Sequence, residues 1–178
     1  MNIDGCTALV TGANRGLGRH LAEQLRDRGA HVYATARNPD SIELAGVMPL
    51  ALDITDATSI SDVARRTGDV SLLINNAGSS TGAGPLTGPL EDIHLEMDTH
   101  YFGTLLMARA FAPQLATHDE SAMLNVHSVL SWLRCVLRRQ VSGVVTHQQP
   151  APGTLRAGHQ GELFTRGLYG HGHGPQHY

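Results

Sequence analysis

Short apolar runs alternate with amphipathic stretches along most of this chain. The run "CTALVTG", residues 6–12, is β-branched and aliphatic and ends on glycine; in "RGLGRHLAEQLRDRG", residues 15–29, Leu17, Leu21 and Leu25 recur every fourth position. These periods predict a strand, a glycine turn and a helix that Gly29 stops. "HVYATAR" predicts a second strand and Asn38-Pro39 a turn; "MPLALDIT" predicts a third strand, followed by a short helix over "DATSISDVARRTG" capped by Asp56. "VSLLINNAG" is an almost unbroken apolar run, as expected of a strand covered on both faces. A Gly-, Ser-, Thr- and Pro-rich loop, "SSTGAGPLTGPLE", leads to one long amphipathic helix over residues 90–118 and a fifth strand in "SAMLNVHSVL". Strands alternating with helices imply an α/β fold with a parallel, doubly wound sheet.

From Arg134 onward the pattern fails. "RCVLRRQVSGVV" has no clean period, and residues 134–178 hold eight Gly, three Pro and five His. The charge breaks at the same place: residues 1–133 carry 8 Arg against 15 Asp and Glu, whereas the remainder carries 5 Arg and only Glu162. Residues 1–133 are therefore expected to form one domain and 134–178 an irregular or disordered tail. Cys6 and Cys135 are too few and too isolated for a disulfide framework or a zinc site. The start "MNIDGCTALV" has no basic leader before an apolar stretch, and no apolar run approaches the roughly 18 residues of a membrane span. A soluble, cytoplasmic protein without membrane contact is expected. Arg134, Arg138 and Arg139 lack the interleaved aromatics of a nucleic-acid surface, and a metal site on His171, His173 and His177 is not favoured.

Thr11-Gly12-Ala13-Asn14-Arg15-Gly16-Leu17-Gly18 lies between the first strand and first helix, where free backbone N–H groups and the helix dipole favour a pyrophosphate. Its spacing is TGxxxGxG and not the commoner GxGxxG, and a glycine turn before a helix can also serve packing alone. Asp53 closes the third strand, Asn75-Asn76-Ala77-Gly78 the fourth, and Ser128 follows the fifth, all at carboxyl ends where open α/β sheets bind ligands. Together "TGANRGLG", "DIT" and "NNAG", in this order over residues 5–133, resemble the short-chain dehydrogenase/reductase family, NADP(H)-preferring type. The resemblance implies a Rossmann-like sheet of strand order 3-2-1-4-5, without the family's later helix and last two strands. It also implies a small-molecule alcohol or carbonyl substrate and a homo-oligomer surface that is only partly present. With that helix missing, the fifth strand would be an open apolar edge, and Phe102, Leu106 and Phe111 would lack a packing partner.

By the same resemblance, cofactor contacts fall to Thr11, Gly12, Asn14, Arg15, Gly16, Leu17, Gly18, Arg37, Asp53, Ile54, Asn75, Ala77 and Gly78. An acid at the end of the second strand would bind a ribose 2′-hydroxyl and repel a 2′-phosphate. Here the end reads Thr35-Ala36-Arg37, so Arg15 and Arg37 offer planar cations to a phosphate and the expected cofactor is NADP(H). Family chemistry uses a tyrosine, a lysine four residues later, a serine and an asparagine that holds a proton-conducting water. A phenol of pKa about 10 needs a nearby cation to exchange protons near neutral pH. Ser128 matches the serine, and His100 occupies the asparagine position in "MDTHYFGTL". His127, beside Ser128 on a strand, points to the opposite face and is not its catalytic partner. None of Tyr33, Tyr101, Tyr169 and Tyr178 is followed by a lysine, because the chain contains no Lys.

Read one nucleotide later, the codons for Val136 to Pro150 are compatible with Tyr-Ser-Ala-Ala-Lys-Ser-Ala-Ala-Trp-Ser-Leu-Thr-Asn-Ser-Leu, which holds the missing tyrosine and lysine at the family's spacing. In the same frame "GLYGHGHGPQ" is compatible with a segment containing Met-Asp-Thr-Asp-Met, which resembles a later cofactor-covering stretch. The expectation is an out-of-frame tail, created by a small deletion, joined to about half of a reductase. Such a chain would be an impaired oxidoreductase, a non-catalytic nucleotide-binding remnant, or a polypeptide in which nothing functional folds.

Overall fold

A computed structural model of the chain describes residues 1–84 and 86–127. Ser128 and every expectation for residues 134–178 lie outside these described residues. The elements run β1 (Thr7–Thr11), α1 (Gly16–Asp27), β2 (His31–Ala36), a 3-10 turn (Pro39–Ser41), β3 (Met48–Ala51), α2 (Ala57–Arg66), β4 (Leu72–Asn75), α3 (Leu90–Met97), a π-helical turn (Asp98–Gly103), α4 (Thr104–Leu115) and β5 (Ala122–Asn125). All strand pairs are parallel, in the order β3-β2-β1-β4-β5. This is the Rossmann-like, doubly wound sheet that the pattern predicts.

Alternation along the central strands explains the two layers. β1 places Ala8 and Val10 against Ala22 and Leu25 of α1, while Leu9 between them faces the opposite layer of Ile60, Val63, Met107 and Phe111. β4 repeats the division, with Leu72 and Ile74 on the first face and Leu73 on the second. Leu9 pairs with Tyr33 and Leu73, and Val10 with Ala34 and Ile74, so a slip of one residue would exchange the two faces. Burial of each large side chain contributes about 1.5–3 kcal/mol relative to exposure.

Three local features refine the expectations. In α1 the buried line is Gly18, Ala22 and Leu25, and Leu17 is exposed, because glycine at 18 lets the helix approach the β1 turn closely. Residues 90–118 do not form one uniform helix: a π-helical turn separates α3 from α4 and carries His100. Phe111 is fully buried beneath the sheet, so the expectation that it lacks a partner is corrected, whereas Phe102 is half exposed and stands edge-on to Tyr101 at 5.1 Å. The strand's own sheet claims Phe111, one turn further along α4 than Met107. Asp56 caps α2 as its sequence predicts, its carboxylate accepting from the Thr58 amide at 2.8 Å. β5 forms the sheet edge among the described residues, with Leu124 exposed. No helix among the described residues is long and apolar enough to cross a membrane.

Because Phe111 is packed on all sides and Phe102 is not, Phe111→Ala should lower the unfolding free energy by about 3–5 kcal/mol, seen as a large fall in, or loss of, the thermal transition. Phe102→Ala should cost less than about 1 kcal/mol. Equal effects of the two substitutions on the melt would contradict this placement of α4.

Candidate nucleotide-binding site

A cleft of about 840 Å³ opens across the carboxyl ends of β1, β2, β3 and β4. Four segments supply its walls: Gly12 and Asn14–Gly18 after β1, Thr35–Asn38 with Ser41 around the end of β2, Leu52–Thr55 after β3, and Asn76–Ser79 after β4. Leu95 and Thr99 close it from the helical stretch before α4. The order of the sheet reverses between β1 and β4, which is where such folds leave a crevice for a ligand.

The end of β1 is tied to the end of β4 by a compact set of hydrogen bonds. Thr11 is buried, and its hydroxyl accepts from the amides of Asn76 and Ala77, both at 2.9 Å. In return the Asn76 side chain donates to the carbonyls of Thr11 at 2.9 Å and Gly12 at 3.3 Å. Gly12 has φ +65°, and a Cβ there would stand 2.9 Å from the Ala77 Cα; a Cβ on Gly18 would overlap the Gly12 carbonyl and the Asn76 amide. Gly12 is therefore required by the turn and by close approach, and Gly18, within α1, by close approach alone.

This geometry suits a dinucleotide. α1 starts at Gly16 with no side-chain hydrogen bond capping it and no acid in its first turn. The first N–H groups of a helix have no intrahelical acceptor, so this end of α1 presents free donors and positive potential to the cleft. Arg15 and Arg37 are exposed on its walls, and among the described residues neither forms an ion pair. Among the described residues, the only carboxylate lining the cleft is that of Asp53, which already accepts from the Thr55 amide at 2.9 Å and hydroxyl at 2.7 Å.

Of the residues singled out in the sequence, Gly12, Asn14, Arg15, Gly16, Leu17, Gly18, Arg37, Asp53, Ile54, Ala77 and Gly78 line the cleft. Thr11 and Asn75 stand behind its wall. Thr11 holds the Asn76–Ala77 turn, and Asn75, the last residue of β4, donates to the Asn125 side chain of β5 at 2.8 Å. His100 is also outside the cleft; its Nε2 is bonded to the Ser79 carbonyl at 2.6 Å. Glu96 accepts from the Thr81 hydroxyl and amide, and these two bonds hold its carboxyl below the usual carboxylate range, with His100 assisting. Asn76, within the motif at the end of β4 but given no contact there, and Ser41, Leu95 and Thr99 also line the cleft. Asn76 carried a signal, being the first residue beyond the strand; the others arrive through tertiary packing.

An open switch point, an uncapped helix start and two arginines on the cleft wall define a Rossmann-like fold with a cleft at its switch point. The chain belongs to the short chain dehydrogenase family, whose profile matches residues 6–136. A solved short chain dehydrogenase from Burkholderia cenocepacia in complex with NADP is 42% identical and superposes with a TM-score of 0.70, over 75% of this chain and 57% of that one. The 3-ketodihydrosphingosine reductase of Bacteroides thetaiotaomicron is 30% identical over 68% of this chain and 46% of its own length. The NADPH-dependent 1-acyldihydroxyacetone phosphate reductase of Schizosaccharomyces pombe is 34% identical over 70% of this chain and 45% of its own. The chain thus spans about half the length of the curated relatives it matches.

Thr11→Val keeps the shape of the side chain but leaves the Asn76 and Ala77 amides without their acceptor. Denaturant unfolding should show a loss of roughly 1–3 kcal/mol. A valine variant as stable as the parent would mean that this hydroxyl does not join the two walls.

Proposed function

We propose that the cleft binds NADP(H) and that the protein is built on the plan of an alcohol–carbonyl oxidoreductase. The observation that carries this reading is that Arg15 and Arg37, neither in an ion pair among the described residues, line a cleft that has no acid at the end of β2. In this reading Gly12, Gly16 and Gly18 let the backbone approach the pyrophosphate, and the N–H groups at the start of α1 take up its charge. Arg15 and Arg37 grip the 2′-phosphate, Asp53 and Ile54 border the adenine, and Ala77 and Gly78 support the nicotinamide end. The bound cofactor would supply the hydride. The NADP complex of the Burkholderia relative and the NADPH dependence of the Schizosaccharomyces pombe reductase support the same preference.

A second reading is favoured by one fact of the sequence. With no lysine in the chain and no tyrosine four residues ahead of one, the family's proton relay cannot be assembled, and His100 stands where that relay has asparagine. This polypeptide then serves at most as a nucleotide-binding module with severely reduced turnover. The out-of-frame origin of residues 134–178 explains the loss of both groups together, along with the break in charge and periodicity.

The two readings make separate predictions. Arg37→Asp should weaken NADPH binding in a fluorescence titration by roughly 10- to 100-fold, the worth of one charged hydrogen bond, and narrow the gap between NADPH and NADH; unchanged affinity would refute the 2′-phosphate assignment. Restoring the shifted frame in the gene should bring NADPH-dependent reduction of simple ketones to a protein that lacks it. Equal turnover before and after restoration, or an intact written frame in the resequenced locus and its relatives' transcripts, would refute the second.

A further inference from the structure

Two side chains of the helical stretch before α4 reach back to the loop that follows β4. Glu96, in the last turn of α3, accepts from both the amide and the hydroxyl of Thr81 at 2.7 Å. That hydroxyl in turn accepts from the Ala83 amide at 3.1 Å. His100, four residues further and within the π-helical turn, contacts the Ser79 carbonyl through Nε2 at 2.6 Å. A carbonyl only accepts, so Nε2 carries a proton in this contact. The same ring lies against Gly78, where a Cβ would come within 2.8 Å of its Cε1, so a larger residue at 78 would displace it. The Ser79 hydroxyl is buried and has no partner among the described residues, so it is the backbone contact to His100 that anchors this residue.

Gly78 and Ser79 form part of the cleft wall, whereas Glu96 and His100 do not touch the cleft. We propose that Glu96 and His100 together clamp the Gly78–Ala83 segment, and that His100 is a positioning residue for the bound nucleotide. The proposal rests on the nucleotide-binding reading above and gives His100 a task distinct from holding a water in a proton relay. It also accounts for the π-helical turn, since such turns often mark functional positions in helices and this one follows Glu96 and carries His100.

Amide hydrogen exchange and NADPH titration of the full chain, with His100→Ala, His100→Gln and Glu96→Ala, test the clamp. In His100→Ala and Glu96→Ala the amides of residues 79–83 should exchange roughly three- to tenfold faster, the range that one net hydrogen bond gives. The Kd for NADPH should rise by a similar factor while exchange in β1 and β4 is unchanged. His100→Gln, whose amide can donate to the same carbonyl, should restore both. Unchanged loop exchange, uniformly faster exchange throughout the sheet, or failure of glutamine to rescue would overturn the clamp. Faster loop exchange in variants of a chain that binds neither NADPH nor NADH would uphold the clamp on the loop and overturn the nucleotide reading.

Discussion

Everything at the candidate site depends on the hydrogen-bonded crossing between the ends of β1 and β4. One buried hydroxyl, that of Thr11, accepts from two consecutive amides of the β4 turn, and one amide, that of Asn76, returns two bonds to the β1 turn. These bonds satisfy polar groups that would otherwise be buried unpaired at a cost of about 1–3 kcal/mol each. They also bring the glycine turn and the Ala77–Gly78 wall to the same cleft, with Gly12 and Gly18 leaving no room for a side chain between them. The uncapped start of α1 then faces a space bounded on both sides.

The sheet supplies the rigidity that this arrangement needs. Because β1 and β4 are covered on both faces, their ends are held by packing from α1 on one side and from α2 and α4 on the other. Phe111 and Met107, both buried, tie α4 to the second layer, and the π-helical turn ahead of them changes the helical phase where the chain passes the cleft. Leu95 and Thr99 are thereby brought to the cleft from one side of this turn, and His100 to the back of Gly78. Packing, helix geometry and site architecture are consequences of the same few contacts.

Much of this was legible in the residues because it is local. Short apolar runs bounded by turn residues marked every strand, four-residue spacing marked α1, and the cap at Asp56 followed from residue type and position. Most cleft residues were legible for a similar reason, since the motifs "TGANRGLG" and "NNAG" sit at strand ends and strand ends converge in a parallel sheet. What was not legible depended on tertiary phase. Nothing in the spacing of Leu17, Leu21 and Leu25 announces that Gly18 and Ala22 share the buried line with Leu25 while Leu17 is exposed, or that Asn75 turns into the sheet while Asn76 spans the two turns. The π-helical turn was hidden too, because a smooth apolar stripe over residues 90–118 reads as one helix whether or not a residue is inserted in its winding.

The most direct test of this account is a thermal melt of the purified chain alone, with NADPH and with NADH. A cleft joined by Thr11 and Asn76 and edged by Arg15 and Arg37 predicts a cooperative transition that NADPH raises, by about 2.7 kcal/mol of added stability at 100 times its dissociation constant, and that NADH at the same concentration leaves nearly in place. A cooperative transition indifferent to both nucleotides, or raised equally by both, would contradict a 2′-phosphate-selecting site in this polypeptide.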